Sequence, residues 1–80
     1  MRKVYVDVTA DHKADGKIIP MWFVWEDGHK YEIDRVLDIQ RAAAMKVGGI
    51  GLRYTIMVRG KQSYMWLEDG GGRWFMEGLR

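Results

Sequence analysis

Few residues in this chain have side chains suited to chemistry, and most of those fall in turns. His12 and His29 are its only histidines, and it has no cysteine. Each histidine has carboxylates nearby, Asp11 and Asp15 for the first, Glu26 and Asp27 for the second. A zinc ion needs three or four ligands converging from separate segments. Two turn histidines without thiolates supply no such spacing. Nucleophilic catalysis needs an activated side chain beside an oriented base, yet Ser63 is the sole serine and stands one residue beyond a hairpin turn. The carboxylate pairs Glu26/Asp27 and Glu68/Asp69 also read as turn residues, where they solvate the chain. The expectation is a protein that is not an enzyme and holds no metal or cofactor.

The run Lys46-Val47-Gly48-Gly49-Ile50-Gly51-Leu52-Arg53 could present backbone amides to a phosphate. It lacks the Gly-Lys-Ser/Thr of a P-loop and the strand-loop-helix context of a dinucleotide fingerprint. It reads as a flexible connector.

Aromatic residues interleaved with basic ones are the better signal. No Asp or Glu occurs between Asp38 and Glu68, so residues 39–67 carry +5 while the flanking segments carry −2 and −1. Trp22, Tyr64 and Trp66, with Trp74 or Tyr5 beside them, fall on the strand faces opposite the expected core. Beside Arg53, Arg59 and Lys61, such rings could stack on bases while the cations meet phosphates. The same rings could instead cover a second small core, a dimer contact or a protein partner. The candidate binding set is Trp22, Arg53, Arg59, Lys61, Tyr64 and Trp66. The expected partner is DNA or RNA. The alternative is a protein such as a polymerase, docked on an exposed aromatic patch by a monomer or weak homodimer.

Strands must position these residues. Lys3 to Thr9 alternates, setting Val4, Val6 and Val8 on one face and Tyr5 and Asp7 on the other. Ala10 to Gly16 reads as a turn into a second run, Lys17 to Glu26, in which Pro20 marks a sheet edge or bend. A three-residue loop with Gly28 left-handed sets Phe23 opposite Tyr31 and Met21 opposite Ile33. That register gathers Met21, Phe23, Trp25, Tyr31 and Ile33 into the core. It leaves Trp22, Val24, Lys30, Glu32 and Asp34 outside. Asp34 to Val47 has the cap and alanines of a helix, but Val36, Leu37 and Ile39 continue the preceding strand, so a long bent strand is expected. A Gly60-Lys61 turn would join Leu52–Arg59 to Gln62–Glu68, with Ile56 facing Met65, Tyr54 facing Leu67, Met57 facing Tyr64 and Thr55 facing Trp66. Arg73–Glu77 closes the domain.

Eighty residues, 48% of them hydrophobic, suffice for one core. Short strands joined mostly by tight turns predict a single all-β domain over residues 1–80. The expected form is a small SH3-like barrel of five to six antiparallel strands, with one short helix or bent strand at 35–47. The opening residues contain no apolar stretch like a signal peptide, and no run is long enough to cross a bilayer as a helix. With no cysteine, the reading is a cytoplasmic protein.

Pro20-Met21-Trp22-Phe23-Val24-Trp25, Tyr31-Glu32-Ile33-Asp34-Arg35-Val36-Leu37, Arg53-Tyr54-Thr55, Tyr64, Leu67 and Trp74-Phe75 give the chain a family likeness. With these residues it resembles a family of uncharacterised small bacterial proteins often encoded near lesion-bypass (Y-family) DNA polymerases. The hairpin between Trp25 and Tyr31 is one residue longer than the family pattern. The resemblance implies a β-barrel and an accessory role near DNA repair, and it carries no catalytic residue across.

Overall fold

Valine at every second position favours an extended chain with one apolar face, and the first strand, β1, runs over Arg2–His12. Its ladder continues through Ala10, Asp11 and His12, which the sequence assigned to a turn. The computed structural model describes residues 1–79. Six more strands follow: β2 Ile18–Val24, β3 Lys30–Glu32, β4 Arg35–Ala43, β5 Ile50–Val58, β6 Lys61–Glu68 and β7 Trp74–Gly78. All pair antiparallel in the order β3-β2-β1-β7-β6-β5-β4. The edge strands β3 and β4 are consecutive in the chain, so the sheet curls into a half-barrel. Ile33 donates its N–H to the Met21 carbonyl at 3.0 Å, and Asp34 donates to the Met57 carbonyl at 2.8 Å. This corner divides a run that the sequence reading left continuous, making seven strands instead of five to six.

The concave side holds the core of Val4, Val6, Phe23, Tyr54, Ile56, Met65, Trp74 and Met76. Each such side chain, fully buried, stabilises the fold by about 1.5–3 kcal/mol. Trp74 therefore belongs to the core and not to the outer face. The Tyr54 hydroxyl donates to the Ile18 carbonyl at 2.6 Å, satisfying its polar end. Burial also raises the pKa of that hydroxyl.

Pro20 lies on a stretch of β2 whose other side carries no partner strand, as its missing N–H requires. The β1–β2 register shifts between Thr9 and Ala10, because Thr9 pairs with Trp22 and Ala10 with Pro20. Met21 is the extra residue of this bulge. Phe23 and Pro20 thus both point inward, while Met21 is left 40% exposed, contrary to its expected core position. In the next hairpin the three-residue loop is as expected, with Phe23 opposite Tyr31 and Gly28 at φ 87.

Residues 35–43 form strand, not helix, and Leu37 bulges between the Val36–Ile56 and Asp38–Thr55 pairs. A full ladder with β5 outweighs the helix propensity of Ala42 to Ala44. The β5–β6 turn is Arg59-Gly60, not Gly60-Lys61, since Val58 pairs with Lys61. Both turn residues have positive φ, 51 for Arg59 and 75 for Gly60, the pattern of a type I′ turn. Tyr54 consequently faces Met65, Ile56 faces Ser63, Thr55 faces Tyr64 and Arg53 faces Trp66. Each strand keeps its expected inner and outer sets because the partners slip by two positions.

The outer face carries a second cluster. Trp66 stacks on Phe75 at 5.3 Å with 2° between the planes, and Ala44 and Val47 cover the pair. The covering turn is closed by Ala44 donating to the Gly49 carbonyl at 2.9 Å. Trp66 is only 3% exposed, so it cannot join the surface set the sequence proposed.

Candidate nucleic-acid interface

The antiparallel ladder that holds β6 to β7 is short. The strands pair only at Trp66–Phe75 and Leu67–Trp74, after which β6 follows β5 to Lys61 and β7 follows β1 to Gly78. A groove of about 390 Å³ opens at the end of the half-barrel where they separate. Phe23, Trp25, Tyr31, Val58 and Met76 give it apolar walls, Arg59, Lys61 and Ser63 supply polar groups, and Glu77 completes the lining at the rim.

The hairpin geometry sets up the aromatic wall. Phe23 and Tyr31, directly opposite across β2 and β3, stack at 5.4 Å, and the His29 ring lies 5.8 Å from Tyr31. The I′ turn aims Arg59 at the same wall, with its guanidinium carbon 5.0 Å from the Tyr31 ring centroid. Such a contact contributes about 0.5–1 kcal/mol at an exposed site. Arg59 is the only non-glycine with positive φ among the described residues. A hydrogen-bonding Asn or a Gly would take that conformation with less strain.

The other proposed residues are dispersed. Trp22 lies on the convex side of β2, with the Lys30 ammonium 4.2 Å from its ring centroid. Tyr64, 40% exposed, sits on the convex side of β6 with Arg53 at 4.6 Å from its ring centroid and Trp66 at 6.2 Å. Strands β1 and β7 stand between Trp22 and Tyr64. Two of the six proposed residues, Arg59 and Lys61, thus meet in the groove; Arg53, Tyr64 and Trp66 form a separate group, and Trp22 stands apart.

The sequence reading placed Phe23, Trp25 and Tyr31 in the core, where Phe23 is buried and the other two pack against it; it missed that Trp25 and Tyr31 stay partly exposed and line the groove. It also missed an ionic cluster on the convex face. Tyr5 donates its hydroxyl to Glu68 at 2.6 Å, while Arg73 lies 3.3 Å and Lys3 3.5 Å from the same carboxylate. The tyrosine hydrogen bond and these cations hold the Glu68 pKa below the ordinary carboxylate range. Spacing could not reveal this set, since its members come from opposite ends of the chain.

Among the described residues, no group of three His, Asp or Glu side chains is placed to hold a metal ion, and no helix is long and apolar enough to cross a membrane. Neither a scan against protein-family models nor searches of curated proteins and solved structures return a match to this chain.

Proposed function

We propose that this protein is a non-enzymatic module that binds single-stranded nucleic acid at the mouth of the half-barrel. The observation that carries the reading is Arg59 lying over Tyr31, itself stacked on Phe23, beside a groove that Lys61 also lines. Stacking platforms beside cations suit unpaired bases, because every base offers a π-face and its phosphate meets the charge. Duplex DNA hides those faces. A groove at a barrel mouth also fits the SH3-like form read from the short strands and tight turns. The reading accords with the accessory role in DNA repair implied by the resemblance.

Titration of labelled oligo-dT and oligo-U by fluorescence anisotropy tests it. Affinity should fall as salt rises, and Arg59→Ala and Lys61→Ala should each weaken binding and flatten the salt dependence by about one phosphate contact. Absence of binding at low salt would overturn the reading.

A further inference from the structure

Strand β1 changes partner halfway along. Its first half, Arg2 to Val6, pairs with β7 on one side, and its second half, Asp7 to His12, pairs with β2 on the other. From Asp7 onward the edge that faced β7 has no partner strand among the described residues. Nor does any backbone hydrogen bond outside the ladders involve Asp7 to His12. An open channel of about 630 Å³ runs along that edge, with Gly72 and Arg73 at its end. Every residue from Tyr5 to Ala10 lines it, inward and outward side chains alike, so its wall is the edge of the strand and not one face.

Inward burial falls where β7 departs. Val4 and Val6, beside β7, are 5% and 8% exposed, whereas Val8 and Ala10 are only partly buried. A strand laid in line with β7 would extend the ladder and cover both. The other open edges resist such addition, since β2 carries Pro20 and β4 bulges at Leu37. Over Asp7 to His12, β1 has no proline, and the bulge beside it places its extra residue on β2.

The charges along the edge select the occupant. Asp7, Thr9 and Asp11 point outward; Asp7 has no ion-pair partner among the described residues, and Asp11 meets only Lys13, at 3.6 Å. Arg73, at the channel's end, is held by Tyr5 and Glu68. A second copy of the chain would bring the same acids. Pairing two copies about Thr9, which keeps both inward faces together, sets Asp7 against Asp11. A strand with cations at alternate positions neutralises them instead. We infer that this edge binds an extended segment of another protein, antiparallel to β1, with Lys or Arg facing Asp7 and Asp11 and apolar residues between them covering Val8 and Ala10. The channel shares no lining residue with the groove at the barrel mouth.

The test titrates the full chain into two labelled, capped peptides, Lys-Val-Lys-Val-Lys-Val-Lys and the same sequence with glutamate for lysine. Anisotropy should show binding of the lysine peptide and not of the glutamate peptide. Asp7→Lys combined with Asp11→Lys changes only exposed side chains. It should weaken the lysine peptide roughly tenfold, the scale of two cross-strand charge pairs turned from attraction to repulsion, and allow the glutamate peptide to bind. Arg59→Ala should leave peptide affinity unchanged. Amide hydrogen exchange should slow at alternate residues between Asp7 and His12 when the lysine peptide is added, because only alternate N–H groups face the open edge. Failure of the lysine peptide to bind, affinity indifferent to the charge exchange, or binding without slower exchange in β1 would overturn the inference. So would a dimer of the free chain in which those amides are already protected.

Discussion

The guanidinium carbon of Arg59 stands 5.0 Å from the ring centroid of Tyr31, so the tip of the β5–β6 hairpin is anchored on the side of the β2–β3 hairpin. The arginine holds a left-handed backbone to do so, with φ at 51. Arg59→Asn relieves backbone strain of about 1 kcal/mol but loses the Tyr31 contact of about 0.5–1 kcal/mol, so stability should stay within about 0.5 kcal/mol of the parent. The same substitution should weaken oligonucleotide binding. Chemical denaturation read beside anisotropy checks both, and an asparagine variant destabilised by more than about 1 kcal/mol, beyond what the lost contact explains, would contradict the strain assigned to this turn.

Glycine at 51 answers to close approach and not to φ. A methyl built there would run into the carbonyl oxygen of Leu67, whereas one at Gly60 meets open space at φ 75. Gly51→Ala should cost about 2 kcal/mol or more through overpacking against backbone. Gly60→Ala should cost about 1 kcal/mol through its left-handed conformation alone. Urea midpoints of the two variants would rank them.

Trp66 and Tyr64 sit two residues apart on the same convex face with opposite roles. Removing the buried Trp66 ring by Trp66→Ala should cost about 3–5 kcal/mol, while Tyr64→Ala should cost about 1 kcal/mol or less. Acrylamide quenching of single-tryptophan variants should find Trp66 and Trp74 protected and Trp22 and Trp25 accessible, following their burial.

The Glu68 cluster predicts an acid-sensitive component of stability. Its folded pKa is depressed, chiefly by the Tyr5 hydroxyl and then by Lys3 and Arg73. The stabilisation is therefore complete above the unfolded glutamate pKa of about 4.3 and is lost as pH falls through the lower folded value. Glu26, whose pKa is lowered by its hydrogen bonds with Arg2, titrates in the same sense. Tyr5→Phe should move the Glu68 pKa back up towards the ordinary range, measurable by NMR titration of the side-chain carboxyl.

The strand faces were legible in the sequence because β side chains alternate with period two, and that period survives a slip of both hairpin partners. The Phe23–Tyr31 register could be read because only one loop length placed apolar residues together on both strands. The Arg59-Gly60 turn could not be read in the same way. Both candidate turns leave Tyr54, Ile56, Met65 and Leu67 on one face, so the pattern does not distinguish them.

The candidate site was half visible for a related reason. Arg59 and Lys61 stand out in a stretch without acids. The wall they address consists of residues whose pattern says only that they face inward. Whether an inward ring is covered depends on where β6 and β7 part, and no local rule fixes that separation.

What the sequence determined by itself is the all-β class, the alternation of each strand and the basic middle of the chain, because these follow from residue type and nearest neighbours along the chain. The tertiary structure alone decided that Trp66 is covered by the turn around Ala44 and Val47, that a bulge turns Met21 outward, and that Arg59 and Lys61 share a groove with Trp25 and Tyr31. Each depends on contacts between segments distant in sequence, set by how the sheet curls.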